Sequence, residues 1–383
     1  MQKGDQPYPA RMRRVRVIVS ACAVLAACAA PPAFGGTLDT LTDPQIAARF
    51  APRLVLHADE RYAPTSTDEL LQLGATLVNR SGGLVRGAPL TPALLPVGSS
   101  CVGGLPCAYA LRLGCGLSAS TPCPAPADAP RLMYARVVRR HPAHGTAPAW
   151  LTTPDPHMPY PGLEVVVQYW LYSLVDDWHS TPRSVSVPGA GTVRLPGVNQ
   201  HHEGDWEAVT VGVSADRPLF VDWSAHCAGE WRPFAGATLV ADPGGERTHP
   251  VSWVALGSHA NLPAPVTARP RWWKCDPRTA TFVHQRVESV IGPVAVAALG
   301  NRLDDALGIL DRAGSGTPQT FPVTLVNRVK WPMTFPGIWG GRERIEVGPT
   351  GRTLGFSPPT PTLQPLWRNP LATIFGDASR SRG

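Results

Sequence analysis

The chain has 383 residues, of which 43 are proline and 37 are glycine, well above the combined average of about 12% for these two residues. This excess favours strands and loops over long helices, while 43% hydrophobic and 16% charged residues exclude a disordered polar chain. Beyond the N-terminal region, no apolar run reaches the roughly 18 to 20 residues that a membrane-spanning helix needs, which excludes a polytopic membrane protein.

The N-terminus has the layout of a secretory signal. Five basic residues between Lys3 and Arg16 precede an apolar run at 17–27 that is too short to span a bilayer. Residues 25–28 (LAAC) match the bacterial lipobox, in which the cysteine becomes the lipid-modified first residue, and ordinary cleavage at this small-residue site is the alternative. We predict a signal peptide at 1–27 and an exported protein, either lipid-anchored at the bacterial cell envelope through Cys28 or extracellular.

Most of the net charge of +7 lies in this signal. Cleavage before Cys28 removes five basic residues and Asp5, which lowers the net charge to +3. No basic stripe with interleaved aromatic residues follows, so we predict no nucleic-acid partner. The sequence leaves the oligomeric state open.

Apart from Cys28, six cysteines follow the signal, namely Cys101, Cys107, Cys115, Cys123, Cys227 and Cys275. An even set in an exported chain predicts disulfides, whose connectivity the sequence does not determine. The first four lack the paired C-x-x-C spacing of zinc sites and lie in a segment rich in glycine, proline and serine. We therefore predict a disulfide-stapled loop near 101–123, with a further bridge between Cys227 and Cys275 as a plausible pairing.

In chain order, residues 28–41 are predicted to form a tether and residues 42–375 a single folded domain. Capping-box patterns predict short helices that start at 42–45 (TDPQ) and at 66–69 (STDE). Apolar residues at near-helical spacing predict a third helix over 293–312.

Strand signals dominate the rest of the chain. Runs of β-branched and aromatic residues, separated by proline and glycine clusters, predict strands at 163–175, 207–213, 219–223 and 251–256. There is no internal repeat and no regular alternation of strand and helix. We predict a mostly β fold, an antiparallel β-sandwich with peripheral short helices and a disulfide-stapled loop.

The most unusual local sequence is 201–207 (HHEGDWE), which leads into the predicted strand at 207–213. On a strand, Asp205 and Glu207 would share the apolar face of Val209, while Trp206 would point the other way. Two carboxylates on such a face are unfavourable unless they are neutralised, and a hard divalent cation is the simplest neutraliser. A turn at Gly204 would fold His202 back to the same site.

Further candidates follow the neighbouring predicted strands. Asp176 and Asp177 end the preceding strand, and His226 and His259 follow the next two. Because a lone acid or histidine is usually solvated or hydrogen-bonded, only the clustering of these residues points to a site. We predict a Ca²⁺ or Mg²⁺ site at Asp176, Asp177, His202, Asp205 and Glu207.

The sequence also resembles the vacuolar protein sorting-associated protein 62 family, across roughly residues 50–370. The resemblance is carried by segments at 50–64, 169–172, 202–207, 249–261 and 335–340. This poorly characterised family implies more about the fold than about the function.

A more remote resemblance is to the necrosis-and-ethylene-inducing peptide cytolysins, whose heptapeptide Gly-His-Arg-His-Asp-Trp-Glu binds a divalent cation at the rim of a β-sandwich. It implies metal ligands at His202, Asp205, Glu207 and either Asp176 or Asp177. His201, Glu203 and Gly204 replace the remaining Gly, Arg and second His of that motif. These departures weaken the case for cytolysin activity, while the carboxylates that would hold a metal remain.

Three functions are compatible with this sequence, and whether the protein is an enzyme stays open. The first is an exported protein that binds Ca²⁺ or Mg²⁺ and, through it, a polar ligand such as a glycan or a lipid head group at a membrane surface. The second is a metal-dependent hydrolase of phosphoesters, lipids or glycosides, with His226 or His259 as the acid or base. The third is a structural envelope protein.

Overall fold

The computed structural model describes residues 38–79, 81–97, 108–115, 122–142, 146–152, 160–180, 183–215, 217–226, 228–266, 277–300, 303–354 and 357–371. The predicted signal peptide and residues 28–37 of the predicted tether lie outside these ranges, as do Cys101, Cys107, Cys227 and Cys275. Within them, Cys115 and Cys123 form a disulfide, which confirms a stapled loop in this region. No described helix is long and apolar enough to cross a membrane.

The described chain is mostly β, as predicted, and its strands are β1 (Arg53–Val55), β2 (Thr76–Asn79), β3 (Leu84–Arg86), β4 (Tyr109–Arg112), β5 (Met133–Arg139), β6 (Leu163–His179), β7 (Ser184–Val187), β8 (Gly191–Arg194), β9 (Val198–Ser214), β10 (Pro218–Ala225), β11 (Ala228–Pro233), β12 (Leu239–Ala241), β13 (Arg247–Val254), β14 (Asn261–Leu262), β15 (Val323–Leu325), β16 (Ile338–Trp339), β17 (Arg344–Val347) and β18 (Thr350–Thr353). All four predicted strands are present, and each is longer than predicted, most of all β6 and β9. Strand β6 continues through Asp176 and Asp177, and β9 begins nine residues before Glu207, so the 201–207 motif lies inside a strand.

The α-helices of the described part are α1 (Asp43–Arg49), α2 (Thr67–Gln72), α3 (Ala149–Thr152), α4 (Pro277–Ile291), α5 (Pro293–Leu299), α6 (Leu303–Leu307) and α7 (Pro365–Arg368). The first two confirm the capping predictions, because the Thr42 capping box starts α1 and the Ser66 side chain accepts a hydrogen bond from the Asp68 amide at the start of α2. The prediction of one helix over 293–312 is wrong: α5 ends at Leu299, the following Gly300 adopts φ +48°, and α6 begins at Leu303.

A central eight-stranded sheet has the order β11-β10-β9-β6-β5-β15, with β17 paired to the other end of β9 and β18 paired to β17. Its neighbouring strands pair antiparallel, except β5 and β15, which pair parallel. Smaller four-stranded sheets have the orders β1-β13-β12, with β14 on β13, and β16-β4-β2-β3. Strands β7 and β8 form a separate hairpin.

The two smaller sheets cover opposite faces of the central sheet, which gives the predicted sandwich a layer on each side. On one face, Val209 and Tyr169 pack with Leu54 of β1 and Val254 of β13 in a first core. On the other face, a second core joins aromatic residues of the central strands to the β2–β4 layer and to β16; its largest members are Trp170, Tyr172, Trp206, Trp339 and Trp367. A third core lies under α4, α5 and α6, where it includes Trp178 from the end of β6.

Candidate functional site

Gly204 reverses the side-chain alternation of β9 in the middle of the 201–207 motif. It adopts φ +63°, and a Cβ atom there would lie 2.0 Å from the backbone oxygen of Trp339, so only glycine fits. Beyond Gly204 the predicted alternation is confirmed, because Trp206 packs in the second core while Val209 packs in the first. Before it, the Glu203 carboxylate turns to the side of the second core, and His202 lies on the face of Asp205.

His202 pairs with Asp176, the residue directly opposite it on β6. Its Nε2 lies 3.3 Å from the Asp176 carboxylate, and its Nδ1 lies 3.0 Å from the Gly204 carbonyl oxygen. Both residues are buried. Burial alone would lower the pKa of His202, but the charge and hydrogen bond of Asp176 outweigh it and raise this pKa to about 10.

His259 bridges two carboxylates from a loop that follows β13. Its Nδ1 lies 3.0 Å from Asp205 and its Nε2 lies 3.4 Å from Glu60. The loop is held close to β6 by Gly257, whose amide donates to Glu60 at 2.9 Å and where a Cβ would lie 2.6 Å from the Asp177 backbone oxygen. Against the opposing effect of burial, the two carboxylates raise the pKa of His259 well above its ordinary value.

His226 connects Glu207 to Asp311 at the end of β10. Its backbone amide donates to Glu207 at 2.8 Å, and its Nε2 lies 3.1 Å from Asp311, which also accepts a 2.6 Å hydrogen bond from the Ser258 hydroxyl. Burial opposes a charge on His226, but Asp311 outweighs it and raises the pKa to about 9. Burial and the charge of Asp205 raise the pKa of Glu207 to about 8.

These contacts form three sets, and charge interactions between the sets join them into one acid–imidazole cluster. The cluster consists of Glu60, Asp176, His202, Asp205, Glu207, His226, His259 and Asp311. The raised pKa values keep its three imidazoles protonated at neutral pH, where they balance most of the carboxylate charge. In the arrangement that the structure shows, protonated imidazoles therefore neutralise the carboxylates, a role that the sequence analysis gives to a divalent cation.

The backbone is strained at two members of this cluster. His226 has φ +59° and His259 has φ +52°, and within the described ranges these are the non-glycine residues with positive φ. Such a conformation costs of order 1 to 3 kcal/mol per residue, and it concentrates at functional sites because the surroundings must over-determine it. Both strained residues present their imidazoles to the same group of carboxylates.

The cluster brings together four of the five predicted metal ligands, Asp176, His202, Asp205 and Glu207, and both predicted acid–base candidates. Asp177 points to the other face of the strand pair, where its carboxylate lies 2.8 Å from His201 Nδ1. Glu60 and Asp311 were not predicted from the sequence. Glu60 lies in the segment at 50–64 that carries the resemblance to the vacuolar protein sorting-associated protein 62 family, and this resemblance is the only sequence signal for it. Asp311 lies within the stretch 293–312 that is predicted to be a helix, so it is not considered as a site residue there.

A different group of side chains brings three atoms that can ligate metals close together. In the part of the chain that the structure describes, the ligand atoms of Cys115, Cys123 and Glu203 are the set that lies within 4.8 Å of one another. The two sulfurs are joined in the disulfide, so neither is a thiolate ligand. The Glu203 carboxylate instead accepts hydrogen bonds from the amides of Leu113 at 2.9 Å and Cys115 at 2.7 Å. We therefore assign this group a structural role while it is oxidised.

The donor chemistry of the acid–imidazole cluster fits a hard divalent cation, because Asp176, Asp205 and Glu207 supply carboxylate oxygens and His202 supplies an imidazole. Its side chains are directed into ion pairs rather than towards one point. Binding a cation would require His202 and Glu207, whose pKa values are raised to about 10 and about 8, to lose their protons. It would also require the carboxylates to rotate away from their imidazole partners.

No family model and no curated protein matches the chain. Similar solved structures include Necrosis and Ethylene inducing Protein 2 from the causal agent of cocoa's witches' broom disease, at 17% identity over 72% of this chain and 92% of that chain, with a TM-score of 0.23. They also include NLPPya in complex with glucosamine, at 14% identity over 61% and 71% of the chains, with a TM-score of 0.25. These neighbours are necrosis-and-ethylene-inducing proteins, but the values are too low to transfer a fold, a ligand or an activity to this chain.

Proposed function

We propose that this protein is an exported binding protein, anchored through Cys28 or released, that holds Ca²⁺ or Mg²⁺ in the acid–imidazole cluster. Asp176, His202, Asp205 and Glu207 would be the ligands. The bound cation would supply a positive centre for a polar ligand such as a glycan or a lipid head group. Oxygen-rich ligation favours a hard cation over zinc.

One observation carries this proposal: the left-handed backbone at Gly204 brings His202 onto the face of Asp205 and Glu207, beside Asp176. A regular strand would place His202 on the opposite face from Asp205. Three carboxylates and one imidazole are thereby gathered in a buried place, and strained backbone at His226 and His259 supports the same place as a site.

The test is calorimetric titration of the full chain with Ca²⁺, Mg²⁺ and Zn²⁺, together with elemental analysis. We expect one hard cation per chain, with protons released on binding because His202 must deprotonate. Asp205→Asn should weaken binding by more than the roughly 10- to 100-fold that the loss of an outer-shell partner costs. The matched control is Asp177→Asn, which removes a carboxylate next to Asp176 in the chain but on the other face; it should leave the affinity within about twofold.

Unchanged binding in Asp205→Asn, or equal losses in Asp205→Asn and Asp177→Asn, would refute this ligand set. If no cation binds under any condition, the cluster is an internally neutralised structural element, as expected of a structural envelope protein. In that case Asp205→Asn should lower thermal stability without changing the retention of the protein on glycans or lipids.

A metal-dependent hydrolase is the second candidate, because both predicted acid–base residues lie in the cluster with strained backbones. The His259 imidazole contacts Asp205 through Nδ1, so it is placed to exchange a proton next to the proposed ligands. His226 contacts Glu207 through its backbone amide, while its imidazole pairs with Asp311. Hydrolysis of a phosphoester, lipid or glycoside that disappears in a chelator, in Glu207→Gln and in His226→Gln or His259→Gln would favour the enzyme. Metal-dependent retention without product would favour the binding protein.

A further inference from the structure

A cleft of about 620 Å³ opens beside the second core, on the face of the central sheet opposite to the acid–imidazole cluster. This volume lies within the range of about 300 to 1,000 Å³ that is typical of small-molecule sites. Met333 and Phe335, both buried members of the second core, contribute an apolar lining. Val97 and Val329 also line it, and they are among the most exposed large hydrophobic residues of the described chain, at 75% and 80%.

Two arginines line the same cleft. Arg328 and Arg368 are both exposed, and over the described ranges neither guanidinium group forms an ion pair or a hydrogen bond. Because every other described residue of the lining is uncharged, no described residue of the cleft neutralises them.

A third guanidinium group, that of Arg136, interacts with the charge of Arg328 and contacts Trp367, the neighbour of Arg368 in the chain. Arg136 stacks 4.3 Å above the ring of Trp367, and among the described residues it donates only to neutral oxygens, the Gln168 side chain at 3.1 Å and the Trp367 carbonyl. Burial, with the positive charge of Arg328 as a second cause, lowers the pKa of Arg136 to about 10. Arg136 and Arg328 are therefore close enough to repel each other, and a negative charge at the cleft would relieve that repulsion.

Each part of this lining alone would favour a different ligand. An inorganic anion would pair with the guanidinium groups but leave the apolar surface exposed to water. A neutral apolar molecule would cover that surface but leave the arginines without an anionic partner. An amphiphile uses both parts. We propose that the cleft binds a single-chain lipid with an anionic head group, its acyl chain against Phe335, Met333 and Val329 and its head group at Arg328 and Arg368.

This inference is independent of the cation site, because it uses other residues on the other face of the central sheet. The test is titration of the full chain with palmitate below its micellar concentration, with hexadecanol and acetate as probes of the chain alone and the carboxylate alone. The double variant Arg328→Glu/Arg368→Glu reverses the charge at the cleft. The matched control, Arg194→Glu/Arg352→Glu, makes the same charge change at exposed positions of β8 and β18.

We expect one palmitate per chain and at least tenfold weaker binding in Arg328→Glu/Arg368→Glu, with a change below twofold in the control. Val329→Asp, at an exposed position that contributes little to the fold, should also weaken binding at least fivefold. Hexadecanol should bind at least tenfold more weakly than palmitate. The proposal is overturned if hexadecanol binds as well as palmitate, if acetate binds as well as palmitate, if both charge reversals act alike, or if palmitate does not bind.

Discussion

Replacement of Gly204 by alanine tests whether close contact with Trp339 fixes the left-handed backbone on which the acid–imidazole cluster depends. The new Cβ would lie 2.0 Å from the backbone oxygen of Trp339 and 2.7 Å from its carbonyl carbon. Neither atom belongs to a flexible side chain, and Trp339 is fixed in β16 by its pairing with β4. The strand or its neighbour must therefore move, and His202 with it.

The expected magnitude has two parts. An L-residue in the left-handed region costs about 1 to 2 kcal/mol, and forced repacking of a tight contact adds about 1 to 3 kcal/mol. Gly204→Ala should therefore lower the free energy of unfolding by about 2 to 5 kcal/mol. Gly189→Ala is the matched control, because Gly189 has φ +76° and a Cβ atom added there would meet nothing within 4 Å; it should cost only the first part.

The assay is urea denaturation of the two variants beside the parent chain, with the free energies of unfolding compared at equal slope. A difference of about 1 to 3 kcal/mol between the variants isolates the steric contact from the backbone conformation. Equal losses in Gly204→Ala and Gly189→Ala would refute the reasoning, since they would show that Trp339 does not constrain β9.

Two further predictions concern protonation and the disulfide loop. The pKa values of His202 and His226 are raised in the folded chain, to about 10 and about 9, so the stability they contribute is complete below their unfolded value of 6.5 and is lost as the pH rises through 9 to 10. With a chelator present to remove metal ions, the urea midpoint should accordingly fall between pH 6.5 and pH 10. Asp311→Asn should move the part of this fall that belongs to His226 to lower pH and leave the part that belongs to His202 in place. A flat profile would contradict the assigned ion pairs. Glu203→Ala should cost about 1 to 3 kcal/mol for each of the two amides, of Leu113 and Cys115, that it leaves without an acceptor, while Glu203→Gln keeps an acceptor and should cost less. Equal denaturation midpoints in these two variants would show that Glu203 does not hold the loop.

Local signals in the sequence predicted the parts of the fold that depend on neighbouring residues. Helices α1 and α2 follow from capping contacts within three residues, and Asp205 and Glu207 follow from strand alternation. Helix α4 is absent from the predictions although it carries a local signal, because Val283, Val287 and Ile291 recur every four residues on the face that packs in the third core.

The parts of the site that escaped prediction depend on tertiary contacts. Residues 198–204 are too polar to indicate a strand, yet they pair with the end of β6 because both segments are enclosed by the neighbouring layers. Glu60 and Asp311 reach the cluster from loops far away in the chain, through His259 and His226. Their acidic side chains have ordinary local contexts, so no spacing could have linked them to the motif.

The pair of β6 and β9 also determines where this protein can move. Each strand has 17 residues, about three times the length of an average strand, and their pairing crosses all three cores. Amides along this pair should exchange with solvent deuterium only when the whole chain unfolds, so Asp176, His202, Asp205 and Glu207 lie on a rigid support. Entry to the cluster must then come through the loops that carry Glu60, His226 and His259, and these loops should become protected from exchange when a ligand is bound.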